Sequence, residues 1–315
     1  MRKVLTLLLV LAILAPAFAD DAKVLPKGVL RLTFVFASNS FDQTYDSGGE
    51  AQDAPKVTAL ALGTALEYGV TDQISAAVQW APAYVVSSTL ESVAPLPFDP
   101  SKANVNGLAD LFVGAKILIL GANGFVPNDM FRLAFAPGVL IPLDNPNWTE
   151  EIANATGGDD YKVQRPSNRA LGLGFRAYFD WILNEMFYVN FYNQTIFYLP
   201  VTKDEIAHAG TDLEYKYGYK LTFEVEPHFD YSFSDKVSVS AGVPVTLTMT
   251  PESEVENPVL NSDASQLLTV SPSASVFVMA FLPFELKAGY TLPLLGKNAN
   301  AASTLAIQLK TFLKF

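Results

Sequence analysis

Ser303-Thr-Leu-Ala-Ile-Gln-Leu-Lys-Thr-Phe-Leu-Lys-Phe315 is the last stretch of the chain. Successive side chains of an extended strand point to opposite faces. One face here carries Leu305, Ile307, Leu309, Leu313 and Phe315, and the other Thr304, Ala306, Gln308, Lys310 and Lys314. The stretch is an amphipathic strand with one greasy side and one wet side. The same period of two recurs at Val29–Ala37, Thr58–Tyr68, Ile74–Tyr84, Phe131–Ile141, Leu171–Phe179, Leu221–Phe233 and Val237–Met249. Segments 107–120, 186–199, 266–280 and 284–294 are less regular but also strand-like.

That makes twelve strands of roughly 9 to 15 residues, which fits an outer-membrane barrel with its even strand number and tilted crossings. The links sort by length. Short ones fall at 69–72, 181–184, 234–235 and 282–283, and long ones at 38–56, 86–106, 143–168, 200–216 and 250–265. Alternating short and long links are the topology of such a barrel. The expected fold is therefore all-β: a transmembrane antiparallel up-and-down β-barrel of about twelve strands, with short periplasmic turns and long extracellular loops.

Composition agrees. The 315 residues are 50% hydrophobic but only 17% charged, below the ~25% of soluble domains. Beyond the N-terminus no run approaches the ~20 apolar residues of a membrane helix. A net charge of −11 disfavours nucleic acid as a partner. No cysteine is present, which removes disulfides, cysteine-ligated metals and a lipidated N-terminal cysteine, and two histidines leave little for other metal chemistry. No cofactor and no metal site is expected.

Met1-Arg2-Lys3, an apolar run from Val4 to Ala15, and Ala17-Phe18-Ala19 form the three parts of a secretory signal peptide. The expected organisation is a cleaved signal, 1–19, and one barrel domain, 20–315, integral to the outer membrane. The five long links hold 19 Asp and Glu against 6 Lys and Arg. That reads as a solvated acidic rim, or more sharply as a divalent-cation site at Glu252, Glu254 and Glu256.

The wet face is rich in Gly, Ala, Ser and Thr, with charges of both signs interspersed. The lumen-lining candidates are Arg31, Glu67, Lys116, Arg132, Arg176, Tyr188, Tyr192, Glu224, Glu226, His228 and Asp230. Each is read as a paired wall residue or a solute contact. Pro82, Pro137, Pro227, Pro244 and Pro272 fall inside strands, where proline removes a ladder bond or forces a bulge. Pro244 and Pro272, in consecutive strands, are candidates for a wall kink through which an apolar solute leaves sideways.

Other motifs carry less. Gly172-Leu-Gly174-Phe-Arg-Ala177 fits a dinucleotide fingerprint but lies within an alternating strand with no helix after it. His228 and Asp230 share a face, which leaves open an outer-membrane hydrolase using His228, although no G-x-S-x-G accompanies it.

Leu66-Glu-Tyr-Gly-Val-Thr-Asp-Gln-Ile-Ser75, Gly107-Leu-Ala-Asp-Leu-Phe-Val-Gly-Ala-Lys116 and Ala136-Pro-Gly-Val-Leu-Ile-Pro142 resemble hairpin phrases of outer-membrane channels of the phenol (meta-cleavage) degradation type, within the wider family of long-chain fatty-acid transporters. The resemblance implies uptake of small hydrophobic molecules and lateral release through a kinked wall. Only Asp20 to Lys27 precede the first strand, so the N-terminal plug of the fatty-acid transporters is expected to be missing, and twelve strands is fewer than theirs. Phe315, ending an alternating strand, resembles the signal read by the barrel-assembly machinery. The expected function is passive uptake of small hydrophobic or amphipathic molecules. The alternatives are a non-transporting barrel that binds a surface partner and the hydrolase.

Overall fold

The structure, a computed structural model, describes residues 21–88, 110–143, 167–204 and 210–315. Strands β1 (Val29–Tyr45), β2 (Ala51–Gly69), β3 (Ile74–Ser88), β4 (Leu111–Leu120), β5 (Phe131–Ile141), β6 (Gly172–Ile182) and β7 (Phe187–Tyr198) run as successive antiparallel neighbours. Two short strands, β8 (Val201–Lys203) and β9 (Leu213–Lys216), precede β10 (Tyr219–Ser234), which pairs with β7. The next two crossings are each broken, into β11 (Val237–Gly242) and β12 (Val245–Thr250), then β14 (Ser265–Val270) and β15 (Ser273–Val278). β13 (Glu254–Val255) lies between them, and β16 (Phe284–Lys297), β17 (Ala299–Asn300) and β18 (Ser303–Lys314) complete the wall. β18 pairs with β1 from Val29↔Lys314 to Ser40↔Ser303, so the ring of twelve crossings is closed.

The burial pattern is that of a membrane barrel. Phe34, Leu62 and Leu173 on the outer face are about half exposed, whereas inward Ala134, Asp180 and Asn190 are buried. Water against the outer face would cost about 1.5–3 kcal/mol for each large side chain, and lipid removes that cost. Rings tile part of this face: Phe131, Phe179 and Phe191 follow one another at 5.6 and 5.9 Å. Closure joins the first crossing to the last, as lipid requires.

Short turns are made by residues suited to them. Asn184 Oδ1 accepts from the N–H groups of Met186 and Phe187, and Asn128 Oδ1 from those of Met130 and Phe131. An asparagine side chain can stand in for a backbone acceptor in this way.

The first long link is shorter than the pattern predicts. Residues 38–45 and 51–56 belong to β1 and β2, which continue outward as one hairpin around the tip Asp46–Glu50. Alternation ceases above the membrane, where both hairpin faces are wet, so period alone misplaces the boundary. Links 200–216 and 250–265 are also ordered in part, since β8, β9 and β13 form a small second sheet. Links 86–106 and 143–168 lie mostly outside the described residues.

At the hairpin tip the Asp46 carboxylate accepts from the N–H groups of Gly48 (2.8 Å) and Glu50 (3.0 Å). The backbone around Glu50, together with Gly48 and Gln52, holds this carboxyl below the usual range. A depressed acid stabilises its fold above the ordinary carboxylate pKa and loses that effect as pH falls through the lowered value. Amide exchange at Gly48 and Glu50 should therefore accelerate once the pH drops below about 4, with the barrel wall unchanged. Tip protection that stays constant down to pH 2 would contradict this.

Candidate functional site: the barrel lumen

Inward positions fall on alternate residues, and all eleven lumen candidates follow that phase. Hydrogen bonds and packing group most of them near the periplasmic end. Arg31 pairs with Glu67, which also accepts from Ser75. Arg132 Nε lies 2.8 Å from Asp180, and Asp180 accepts from Asn190 Nδ2 at 2.6 Å. His228 has Glu226 at 3.2 Å on Nδ1, Asp230 at 3.0 Å on Nε2, and the Tyr188 ring stacked 4.5 Å away. Glu224 accepts from Thr246 at 2.7 Å. Wall pairing therefore accounts for most of these charges.

The expectation that no N-terminal segment occupies the lumen, drawn from the missing plug of the fatty-acid transporters, is corrected. Asp21 to Leu25 form a strap inside the lumen. Ala22 is fully buried against Leu118, Ala134, Ala136, Tyr178 and Tyr192. Its N–H donates to both oxygens of Asp180, at 3.1 and 3.3 Å. Lys116 Nζ donates to the Asp21 carbonyl, and Lys23 pairs with Asp21 at 2.8 Å while lying 5.5 Å over Tyr188. Pro26 packs on Gly69 at the rim, where any Cβ would strike its carbonyl, and Lys27 N–H bonds Asp72 at 3.0 Å. Eight residues before a strand looked too few to block a barrel. The strap fits there because the inner wall beside it is small, as at Ala134 and Ala136, and because Asp180 offers a buried acceptor. Asp180 is the residue that sequence reasoning missed. Its inward phase, two positions after Tyr178, was the available signal.

Higher in the lumen, Phe112 points inward and lies flat on Gly138 and Gly174, with the Arg176 guanidinium 4.0 Å over its other face. The Tyr178 and Tyr192 rings lie 5.1 Å from each other, and Tyr192 O–H donates to Gln194 at 2.6 Å. A Cβ at Gly138 would overlap the Phe112 ring. Gly138→Val should cost about 1–3 kcal/mol through overpacking. It should lower the temperature at which the folded, fast-migrating band is lost on unboiled gels; an unchanged temperature would refute the packing of Phe112 on Gly138.

The prolines are placed by hydrogen-bond direction. Pro82 sits where the β2–β3 register slips between Leu62 and Thr64, which is a bulge. Pro137 lies opposite the stretch of β4 between Gly114 and Ile117 that leaves the ladder. Pro227, Pro244 and Pro272 form a staircase across three neighbouring ladders. Val243 N–H donates to Pro227 O at 3.2 Å, Ser271 to Pro244 O at 2.9 Å, and Tyr290 to Pro272 O at 3.0 Å. Each proline lacks the N–H that would return the bond, so one donor is lost in each ladder. The register itself carries across, from Gly242↔Ser273 to Val245↔Val270. The wall is weakened there without being parted.

His228 has a carboxylate on each ring nitrogen, so neither nitrogen faces a serine hydroxyl, as a nucleophile's base must. Among the described residues no group of three acidic or histidine side chains is arranged to hold a metal, Glu252, Glu254 and Glu256 included.

No family model matches the sequence, and no curated protein matches it closely. Among solved structures, the COG4313 outer membrane channel from Pseudomonas putida F1 superposes with a TM-score of 0.69, covering 94% of this chain and all of that one, at 14% identity. The two chains share one barrel fold. A Pseudomonas aeruginosa FadL homologue (13% identity, 91% of this chain and 90% of that one, TM-score 0.40) and the TodX monoaromatic hydrocarbon channel deltaS2 mutant (10%, 92% and 91%, 0.45) overlap too loosely to bear on this chain. The likeness first noted in the hairpin phrases thus extends, as fold, around the whole wall.

Proposed function

We propose that the protein is an outer-membrane channel through which small hydrophobic or amphipathic molecules diffuse passively. They enter from the extracellular side and leave sideways into the membrane through the wall at Pro227, Pro244 and Pro272. One combination carries this reading. The strap lies in the lower lumen, while the wall is short of ladder bonds on its β10–β16 side. A solute that enters from above then has a weakened wall before it and the strap beneath. The fold shared with an outer membrane channel supports the same reading. The lumen candidates act as its wall: the charges hold the strap and one another, and Arg176, Tyr188 and Tyr192 line the path.

Residues 1–19 would leave as a signal peptide, which ends two residues before the strap enters the lumen. The outward, exposed Phe315 that ends the last strand would present the chain to the barrel-assembly machinery. The test is uptake of a hydrophobic dye and of a sugar by proteoliposomes. Entry of the dye, saturable in protein and faster than the sugar, is expected. No protein-dependent flux of either, from barrels that still migrate as folded, would favour the non-transporting alternative.

A further inference from the structure

The inner wall consists of two unlike surfaces set side by side along the barrel axis. From β1 to β6 most inward positions above the strap are small and apolar, as at Ala37, Ala61, Ala136, Gly138 and Gly174, with Phe112 lying among them under the Arg176 guanidinium. From β11 to β16 most are hydroxyls, with Lys287 in the same row as Ser240 and Ser275. Ser240 and Ser275 meet at 2.6 Å and Ser271 and Thr291 at 2.8 Å, across neighbouring strands. A hydroxyl has one hydrogen to donate, so each pair consumes one O–H and leaves its second free to turn toward the lumen. Little covers them. The row between the two pairs is Gly242, Ser273 and Gly289, matched across three strands. Higher on the same side, on β17, Asn300 is 2% exposed, and neither its carboxamide oxygen nor its nitrogen has a partner. A water-filled pore has no need to confine hydroxyls to one arc, and a lumen for bare hydrocarbon has no need of them at all.

We propose that the solute is facially amphipathic: a neutral molecule with hydroxyl or similar groups along one edge and hydrocarbon along the other. The hydroxyl edge would lie against β11–β16 and the hydrocarbon edge against β1–β6. A carboxylate on the polar edge would meet both Glu224 and Glu226, which project into the lumen from the adjoining β10, while Lys287 of β16 offsets one of those two charges. The inference rests on the channel reading and names the cargo that reading leaves open.

Three probes on one ring skeleton test it: androstane, androstanediol and androstane carboxylic acid. Each is measured for saturable binding to the full protein in lipid nanodiscs, with empty discs subtracted. The diol is expected to bind about tenfold more tightly than either other probe, the worth of one or two retained hydrogen bonds. In the triple variant Ser240→Ala, Ser271→Ala, Thr291→Val the diol should fall to the level of androstane while androstane itself is unchanged. Equal binding of diol and hydrocarbon, tightest binding of the acid, or a preference that survives the triple variant each overturns the inference. Dye uptake with no saturable binding of any of the three also overturns it. Loss of dye uptake in the wild-type protein removes the channel reading instead, so the two failures are distinguishable.

Discussion

Deleting Asp21 to Val24 should convert a shut barrel into a conducting one. The strap is held by the two Ala22 N–H contacts to Asp180, the Lys116 bond to the Asp21 carbonyl and the Lys23–Asp21 pair, around a fully buried alanine. A hydrogen bond to a charged group contributes about 1.5–3 kcal/mol, so losing one raises the open fraction by about 10- to 100-fold. Losing the whole strap leaves only the open form. Conductance across planar bilayers, near background for the intact chain, should appear as steady channels in the deletion variant. Asp180→Ala should give a flickering intermediate, because Arg132 and the Tyr178–Tyr192 surface still face the strap. The Arg132–Asp180 pair is untouched by the deletion, so the barrel remains folded, and its heat-modifiable migration verifies this. An unchanged conductance in the deletion variant would show that the floor is sealed by something other than the strap.

Restoring the missing ladder donors should act in the opposite sense. Pro244→Ala and Pro272→Ala give back N–H groups that face Ser271 and Tyr290 in the existing register. In lipid an unmet backbone group costs several kcal/mol, so the double variant should unfold at a measurably higher denaturant concentration. If the wall at this place is the exit, transfer of a hydrophobic dye from the lumen to the bilayer should slow by about tenfold or more, since each regained bond adds about 1 kcal/mol to the cost of parting the strands. Conductance of the strap-deleted barrel should not change, because ions leave through the floor. A double variant that is more stable but transfers dye at the wild-type rate would place the exit elsewhere.

The architecture could be read early because lipid enforces one rule at every crossing: apolar out, small or polar in. Phe131–Ile141 is recovered to the residue because both its ends coincide with the membrane boundary. The β1–β2 hairpin was underestimated because its upper part stands in water on both faces, where nothing imposes a period. The two broken crossings were legible as single strands, since the phase runs unaltered through Val243-Pro244 and Ser271-Pro272. Only backbone hydrogen-bond direction reveals that Pro227 joins them. The lumen residues were legible by face but not by partner. Arg132 and Asp180, or His228 and Glu226, are assigned to one another by register between strands, which a single sequence does not state. The strap was invisible for a related reason. Asp21 to Leu25 carry no period at all, and what holds them is a carboxylate 158 residues away.

The strap is also part of the polypeptide it stoppers. A tether this short holds its own ligand at an effective concentration in the millimolar range. Contacts too feeble to retain a free peptide therefore suffice to keep the mouth occupied. A displaced strap would return by its own tethering, with no input of energy. A soluble copy of the same few residues would compete poorly against it.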